Sequence, residues 1–324
     1  MEYTKLGRSG LTVSRLCLGT MNFGPYADEK ESHEIMDKAL ELGINFFDTA
    51  DVYGWAMGEG LTEKIIGSWL SKGNGRRESI VLATKVYGQM GNAPNERGLS
   101  KYHIISACEE SLTRLQTDRI DLYQMHHVER TTPYEEIWEA MEQLVREGKV
   151  LYVGSSNFAG WDIAKAQGDA NNRNFMGLIS EQHKYSLSCR LPELEVLPSS
   201  FDHGVGVIPW SPLDGGILGG KALNPEKKSR TIDKMQKTKI EKYRSNIEQY
   251  YAFCEELGES PADVAIAWLL QNEAVAAPII GPRNEKQLVG ITKSVEIKLS
   301  VETLKKLDEI WPGPGGSAPE AYSW

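Results

Sequence analysis

Gly43-Ile-Asn-Phe-Phe-Asp-Thr-Ala-Asp-Val-Tyr-Gly54 begins as a short apolar run and ends in polar turn residues. An apolar run this short and nearly continuous suits a strand covered on both faces, as in a parallel sheet flanked by helices. The strand delivers Asp48 at its end and Tyr53 five positions on. The next run of this kind, Ser79-Ile-Val-Leu-Ala-Thr-Lys85, ends on a lysine, and the one after it, Asp121-Leu-Tyr-Gln-Met-His126, ends on a histidine. Three successive strand ends therefore carry Asp/Tyr, Lys and His.

Working outward, the same pattern recurs along the whole chain. After a small hairpin (3–6 and 11–13, turning at Ser9-Gly10), strands are predicted at 15–18, 45–48, 80–85, 121–126, 151–155, 178–182, 205–210 and 276–280. Helical periodicity separates them at 29–42, 61–70, 102–115, 134–147, 161–171, 191–200, 239–257, 261–271 and 285–292. Thr132-Pro133 and Ser260-Pro261 read as helix starts. Eight strand–helix units without a break in composition predict an α/β fold of the (β/α)8 class, a single closed barrel over residues 1–324 with a hairpin before it. The rival is an open doubly wound sheet, but no strand here runs into G-x-G-x-x-G and then a helix; Gly215-Gly-Ile-Leu-Gly-Gly220 is glycine-rich without that context. Long insertions at 55–60, 87–98 and 219–233 each follow a strand end, where barrel active sites are built.

Composition narrows the partners. At 324 residues, 40% hydrophobic and 25% charged, the chain has material for a large core and too little net charge for disorder. A net charge of -9 argues against nucleic acid, whose phosphates are gripped by clustered Lys and Arg. No apolar stretch is long enough to span a bilayer and the first residues lack a leader's apolar core, so no membrane partner and a cytoplasmic location are expected. Cys17, Cys108, Cys189 and Cys254 lack metal-ligand spacing and read as reduced thiols.

On one barrel rim, Asp48, Tyr53, Lys85 and His126 converge. Lys85 is expected to lower the Tyr53 phenol's pKa so that it exchanges a proton near neutrality, and Asp48 to hold the lysine charged and fixed. From the opposite side, His126 is placed to hydrogen-bond a substrate oxygen as negative charge develops on it. Such a site suits proton transfer to a carbonyl oxygen, and reduction there requires a bound cofactor. A buried ion pair beside a core tyrosine is the competing reading of the same residues. A metal site built on His126, His127 and Asp48 is disfavoured, because neighbours on a strand face opposite sides unless the strand has already ended.

Several motifs in order, from Leu6-Gly-x-Ser-Gly-Leu-x-Val-Ser14 through Leu18-Gly-Thr-Met-x-Phe-Gly24 to the region of Gln287, resemble the aldo-keto reductase superfamily over nearly the whole chain. The resemblance implies a TIM barrel that binds NADPH/NADP+ without a Rossmann domain and passes a hydride to an aldehyde or ketone, a small-molecule carbonyl substrate. It places Asp48, Tyr53, Lys85 and His126 on the family's catalytic tetrad, with Tyr53 as general acid. Ser156, Asn157 and Gln182 resemble the residues that hold the carboxamide, and Trp210 the aromatic that stacks on the nicotinamide. Ser211, Leu213, Gly215 and the loop to Lys221 resemble the pyrophosphate segment; the Lys/Glu-rich run 221–242 reads as a solvated loop and helix, with a flap whose Arg230 touches cofactor phosphate as the other reading. Gly281, Arg283 and Gln287 match the region of the adenosine 2'-phosphate, for which an arginine is the chemically apt partner. Two departures stand out: Ile291 replaces an asparagine common in the family, and His127-Val128 replaces the usual Trp-Pro after the histidine, which alters the pocket wall. Tyr26, Trp55, Tyr87 and His127 are the candidate substrate-pocket residues. A regulatory NADP(H)-binding protein resembling the potassium-channel β subunits is the alternative function.

Overall fold

The computed structural model describes residues 1–223 and 234–318. Among them, a hairpin of β1 (Tyr3–Lys5) and β2 (Thr12–Ser14) precedes eight parallel strands. These are β3 (Cys17–Gly19), β4 (Phe46–Asp48), β5 (Val81–Val86), β6 (Ile120–Met125), β7 (Val150–Ser156), β8 (Leu178–Lys184), β9 (Gly206–Trp210) and β10 (Ile279–Ile280). They form a nearly closed barrel in the order β10-β3-β4-β5-β6-β7-β8-β9. The expected 276–280 strand is shorter than its sequence pattern because its two neighbours share it: Val275 bridges Val207 of β9, whereas Ile279 and Ile280 pair with Cys17 and Leu18 of β3. Closure is completed by hydrogen bonds from Val207 N to Ala274 O and from Ala276 N to Val207 O, both 2.8 Å.

β4, β5 and β6 are buried at every position, as strands sandwiched between barrel interior and helices must be. Period-two alternation then sorts the side chains. Phe46, Val81, Ala83 and Leu122 belong to the small inner core, while Phe47, Leu82 and Tyr123 join the larger core under the helices. The hairpin contributes Val13, and the turn after β1 contributes Leu6, to that inner core, so this segment stoppers one end of the barrel. The next inward layer toward the other end is polar, and it holds Asp48, Lys85 and Gln124. The register Asp48↔Ala83 and Lys85↔Gln124 sets these side chains on adjoining strands.

The outer layer is α1 (Glu29–Glu41), α2 (Leu61–Leu70), α3 (Lys101–Leu115), α4 (Tyr134–Arg146), α5 (Gly160–Asn172), α6 (Val196–Asp202), α7 (Lys234–Lys242), α8 (Arg244–Leu257), α9 (Pro261–Leu270), α10 (Glu285–Ile291) and α11 (Val301–Ile310). Ser260 caps α9 as its sequence predicts, its side chain accepting from Asp263 N. Thr132 does not cap α4; Pro133 occupies that position with no side-chain hydrogen bond. The 191–200 helix divides into a 3₁₀ turn at Leu191–Glu193 and α6, with the chain at Glu195 pulled out of helical geometry. Likewise, the 239–257 helix begins earlier and breaks at Tyr243.

One helix, α11, lies outside the expected set. Its signal is present: Ser300 caps it by accepting from Thr303 N, and Thr303, Leu307 and Ile310 give it a buried stripe. It is clamped by Arg190, which donates to Asp308 Oδ1 (2.5 Å) and to the Trp311 carbonyl (2.9 Å).

Candidate active site

Lys85 is fully buried near the end of β5, and each of its three N–H groups is spent. They go to Asp48 Oδ2 at 2.7 Å, to the Thr49 carbonyl at 2.6 Å and to Tyr53 Oη at 3.3 Å. The other Asp48 oxygen, Oδ1, accepts from Gln124 Nε2 at 2.9 Å and from Gln182 Nε2 at 2.8 Å. A carboxylate with three donors and an ammonium with three acceptors can stay charged out of water.

Tyr53 is brought to Lys85 by a turn that only glycine supports. Gly54 has φ 147°, and a Cβ there would stand 1.8 Å from the Gly58 carbonyl oxygen. Because an ammonium is purely a donor, Tyr53 Oη must accept in the Lys85 bond. Its own proton therefore points elsewhere. His126 approaches the Tyr53 ring edge-on, with centroids 5.9 Å apart.

Electrostatics correct one expectation. Burial pushes the Tyr53 phenol above its ordinary value; Lys85 pulls it down, but Asp48 and Asp51 add to the burial and the net direction is upward. Burial alone would lower the Lys85 ammonium, yet Asp48 and Tyr53 more than offset this and it sits above its ordinary value. Burial, then the charges of Lys85 and His127, push His126 down to about 2. The site at neutral pH is thus a protonated phenol, an ammonium and a neutral imidazole.

Beside this cluster, β7, β8 and β9 supply the residues expected to hold a nicotinamide. Ser156 Oγ donates to the Gln182 carbonyl at 2.8 Å. Asn157, with φ 59°, accepts from Trp210 Nε1 at 3.1 Å and donates to the His126 carbonyl at 3.0 Å. Gln182, expected on a carboxamide, turns its amide nitrogen onto Asp48, because that buried carboxylate needs every donor within reach. After Trp210 the chain repeatedly enters the left-handed region, at Ser211, Asp214, Gly215, Gly216 and Gly220. Leu213 sits among these turns, and Lys221 follows them, exposed. A Cβ on Gly215 would lie 2.2 Å from Gln236 Nε2, and Lys239 pairs with Asp214, so α7 rests on this segment.

Past β10, the Gly281 carbonyl accepts from Asn22 Nδ2 at 2.8 Å, and Arg283 N donates to Gln287 Oε1 at 2.8 Å. The Arg283 guanidinium lies over the Tyr26 ring, 4.4 Å from its centroid. Tyr26 thus supports Arg283, a contact its sequence position does not reveal. Trp55 is exposed on a 3₁₀ turn, and Tyr87 packs edge-on against His127 at 5.2 Å. Arg230 and residues 224–233 of its loop lie outside the described residues.

Sequence reading missed Gln124 and Asn22. Gln124 had a signal: it lies two residues before His126, on the face that period-two alternation turns inward.

A rim of this make-up belongs to the barrel oxidoreductases. Within them the assignment is specific: the chain belongs to the aldo/keto reductase family, whose model matches residues 15–312. It is 58% identical, over the full length of both chains, to a Bacillus subtilis (strain 168) protein named uncharacterized oxidoreductase YrpG. It is 34% identical to a probable voltage-gated potassium channel subunit beta of Arabidopsis thaliana, covering 99% of this chain and 100% of the relative. The versiconal hemiacetal acetate reductase of Aspergillus parasiticus is 33% identical over 95% of this chain and 96% of its own. No described helix is long and apolar enough to cross a membrane.

Proposed function

We propose that the protein is a cytosolic NADPH-dependent reductase of aldehydes and ketones in which Tyr53 is the general acid. The observation that carries this reading is the spent ammonium: with all three Lys85 protons committed, one of them to Tyr53 Oη, the phenolic proton is left directed away from Lys85. A substrate carbonyl oxygen is the natural acceptor for it. The versiconal hemiacetal acetate reductase among the relatives supports the reductase class.

The residues present fit a dinucleotide. Trp210 offers an aromatic ring, Ser156 and Asn157 polar groups beside it, and the chain from Ser211 to Gly220 repeatedly enters the left-handed region, the kind of backbone from which anion-holding nests are built. Arg283 offers a guanidinium for a 2'-phosphate. When bound, the nicotinamide supplies the hydride. Tyr53 delivers the proton to the carbonyl oxygen, Lys85 favours the phenolate that remains, and neutral His126 orients that oxygen by hydrogen bonding. Asp48 keeps Lys85 charged and in place.

The test is direct. Mixing the protein with NADPH and a panel of aldehydes is expected to consume nicotinamide absorbance; tight NADPH binding without turnover across the panel would favour a regulatory role, as the name of the potassium-channel relative suggests. Arg283→Ala is expected to weaken NADPH binding about 10- to 100-fold, the worth of a charge-assisted phosphate contact, with little change for NADH. Equal losses for both cofactors would remove Arg283 from the 2'-phosphate.

The pH profile follows from the directions above. Reduction needs the phenol protonated, and a raised phenol pKa keeps it so through the neutral range. The rate of reduction is expected to stay flat across neutral pH and to fall only beyond about pH 10, the ordinary tyrosine value. Alcohol oxidation, which needs the phenolate, is expected to rise toward that limb. A His126 pushed down to about 2 contributes no break near the ordinary histidine value of about 6.5. A break there would reassign the titrating group.

A further inference from the structure

β6 ends at Met125, so the alternation that would turn His126 and His127 to opposite faces no longer applies. The two imidazoles instead lie side by side, centroids 5.1 Å apart and planes within 11°. His127 is exposed, flanked by His126 and by Tyr87.

Its protonation pattern can be worked out from its neighbours. Trp210 Nε1 can only donate, which fixes the Asn157 atom facing it as the carbonyl oxygen and the other as the amide nitrogen. That nitrogen gives its two protons to the His126 carbonyl and to Ser156 Oγ, both 3.0 Å away, and has no lone pair to accept with; it lies 3.4 Å from His127 Nδ1, so an N–H at Nδ1 would meet no acceptor there and the ring proton belongs on Nε2. Desolvation lowers the His127 pKa, which keeps the ring neutral. His127 is therefore a neutral donor standing one ring spacing from the imidazole that faces the reacting oxygen.

We propose that His127 is a specificity-determining residue that selects carbonyl substrates bearing a second neutral oxygen on the adjacent carbon: α-hydroxyaldehydes, α-hydroxyketones and α-dicarbonyls. This rests on the reductase reading above. One oxygen meets Tyr53 and His126, and its vicinal partner meets Nε2–H of His127. A neutral donor suits a hydroxyl or carbonyl oxygen, whereas a carboxylate or phosphate calls for a cation; Tyr87, His126 and Asn157, whose side chains contact His127, carry none.

The experiment compares kcat/KM for glyceraldehyde with that for propanal, three-carbon aldehydes that differ in their hydroxyls, in the wild type, His127→Leu and His127→Gln. Comparing the ratio between variants cancels the intrinsic reactivity of each aldehyde. The glyceraldehyde-to-propanal ratio is expected to fall about tenfold in His127→Leu, the worth of one hydrogen bond, and to remain largely intact in His127→Gln, which keeps an N–H donor. General damage to the pocket would lower both rates and leave the ratio alone. A ratio unmoved in His127→Leu overturns the inference while the reductase reading stands. A wild type that turns over neither aldehyde, nor others of the panel, overturns both.

Discussion

Tyr53→Phe is expected to lower kcat for aldehyde reduction by roughly 10²–10⁴-fold, the range for loss of a general acid, while NADPH binding is unchanged. The substitution removes one oxygen atom and keeps the ring that lies 4.9 Å from Lys85 Nζ, so the packing and cation–π contact survive. What disappears is the proton donor and one acceptor for Lys85. The ammonium keeps Asp48 and the Thr49 carbonyl, which together hold it in place. Stability should therefore move by less than about 1.5 kcal/mol, the net worth of one hydrogen bond. Unchanged turnover in the Tyr53→Phe variant would show that the proton comes from another group, and a large loss of stability would show that Tyr53 is chiefly structural. The pairing of an intact fold with a near-dead reductase is the signature sought.

That Tyr53, Lys85 and His126 come from three neighbouring strand ends is readable because barrel strands are short, alternate with period two and stop in polar residues. The Asp48–Tyr53 stretch announces itself by this switch from apolar to polar. The electrostatic state is not readable in the same way. A lysine near a tyrosine argues for a lowered phenol pKa, and only the surrounding structure shows that burial outweighs it. The same holds for Gln124 and Gln182. Gln124 lies on β6 and Gln182 on β8 among Ser180, Glu181 and His183, and that both converge on Asp48 Oδ1 depends on the barrel's curvature and on the register shift between Val153 and Gly154. His127 is among the candidate pocket residues, but its stacking beside His126 is hidden for another reason. Alternation holds only while the strand lasts, and β6 ends one residue earlier than its sequence pattern implies. At the far end, α11 carries a visible cap and stripe, yet eight strand–helix units already close a barrel and leave no place that calls for it.

Lys85→Met tests whether the ion pair is structural support for the chemistry or an independent element. Lys85 is fully buried and the Asp48 side chain is 4% exposed, so removing the ammonium leaves a carboxylate in the interior without its countercharge. The cost of breaking such a pair on one side is about 3–5 kcal/mol, here moderated by the Gln124 and Gln182 amides that remain on Oδ1. A drop of that size in unfolding free energy, measured by denaturant titration, is expected together with a loss of turnover comparable to that of Tyr53→Phe. The double variant Asp48→Asn/Lys85→Met separates the two effects. Neutralising Asp48 removes the stranded charge, and the asparagine oxygen can still accept from both glutamines, while its amide nitrogen now faces an apolar methionine. The double variant should regain part of the stability, about 1–3 kcal/mol, and none of the activity, because Tyr53 still lacks the cation that favours its phenolate. If Lys85→Met unfolds at the wild-type denaturant concentration, the charge of Asp48 is not compensated by Lys85, and the division of labour between them falls. If stability and turnover recover together in the double variant, Lys85 serves Asp48 alone and has no part in tuning Tyr53.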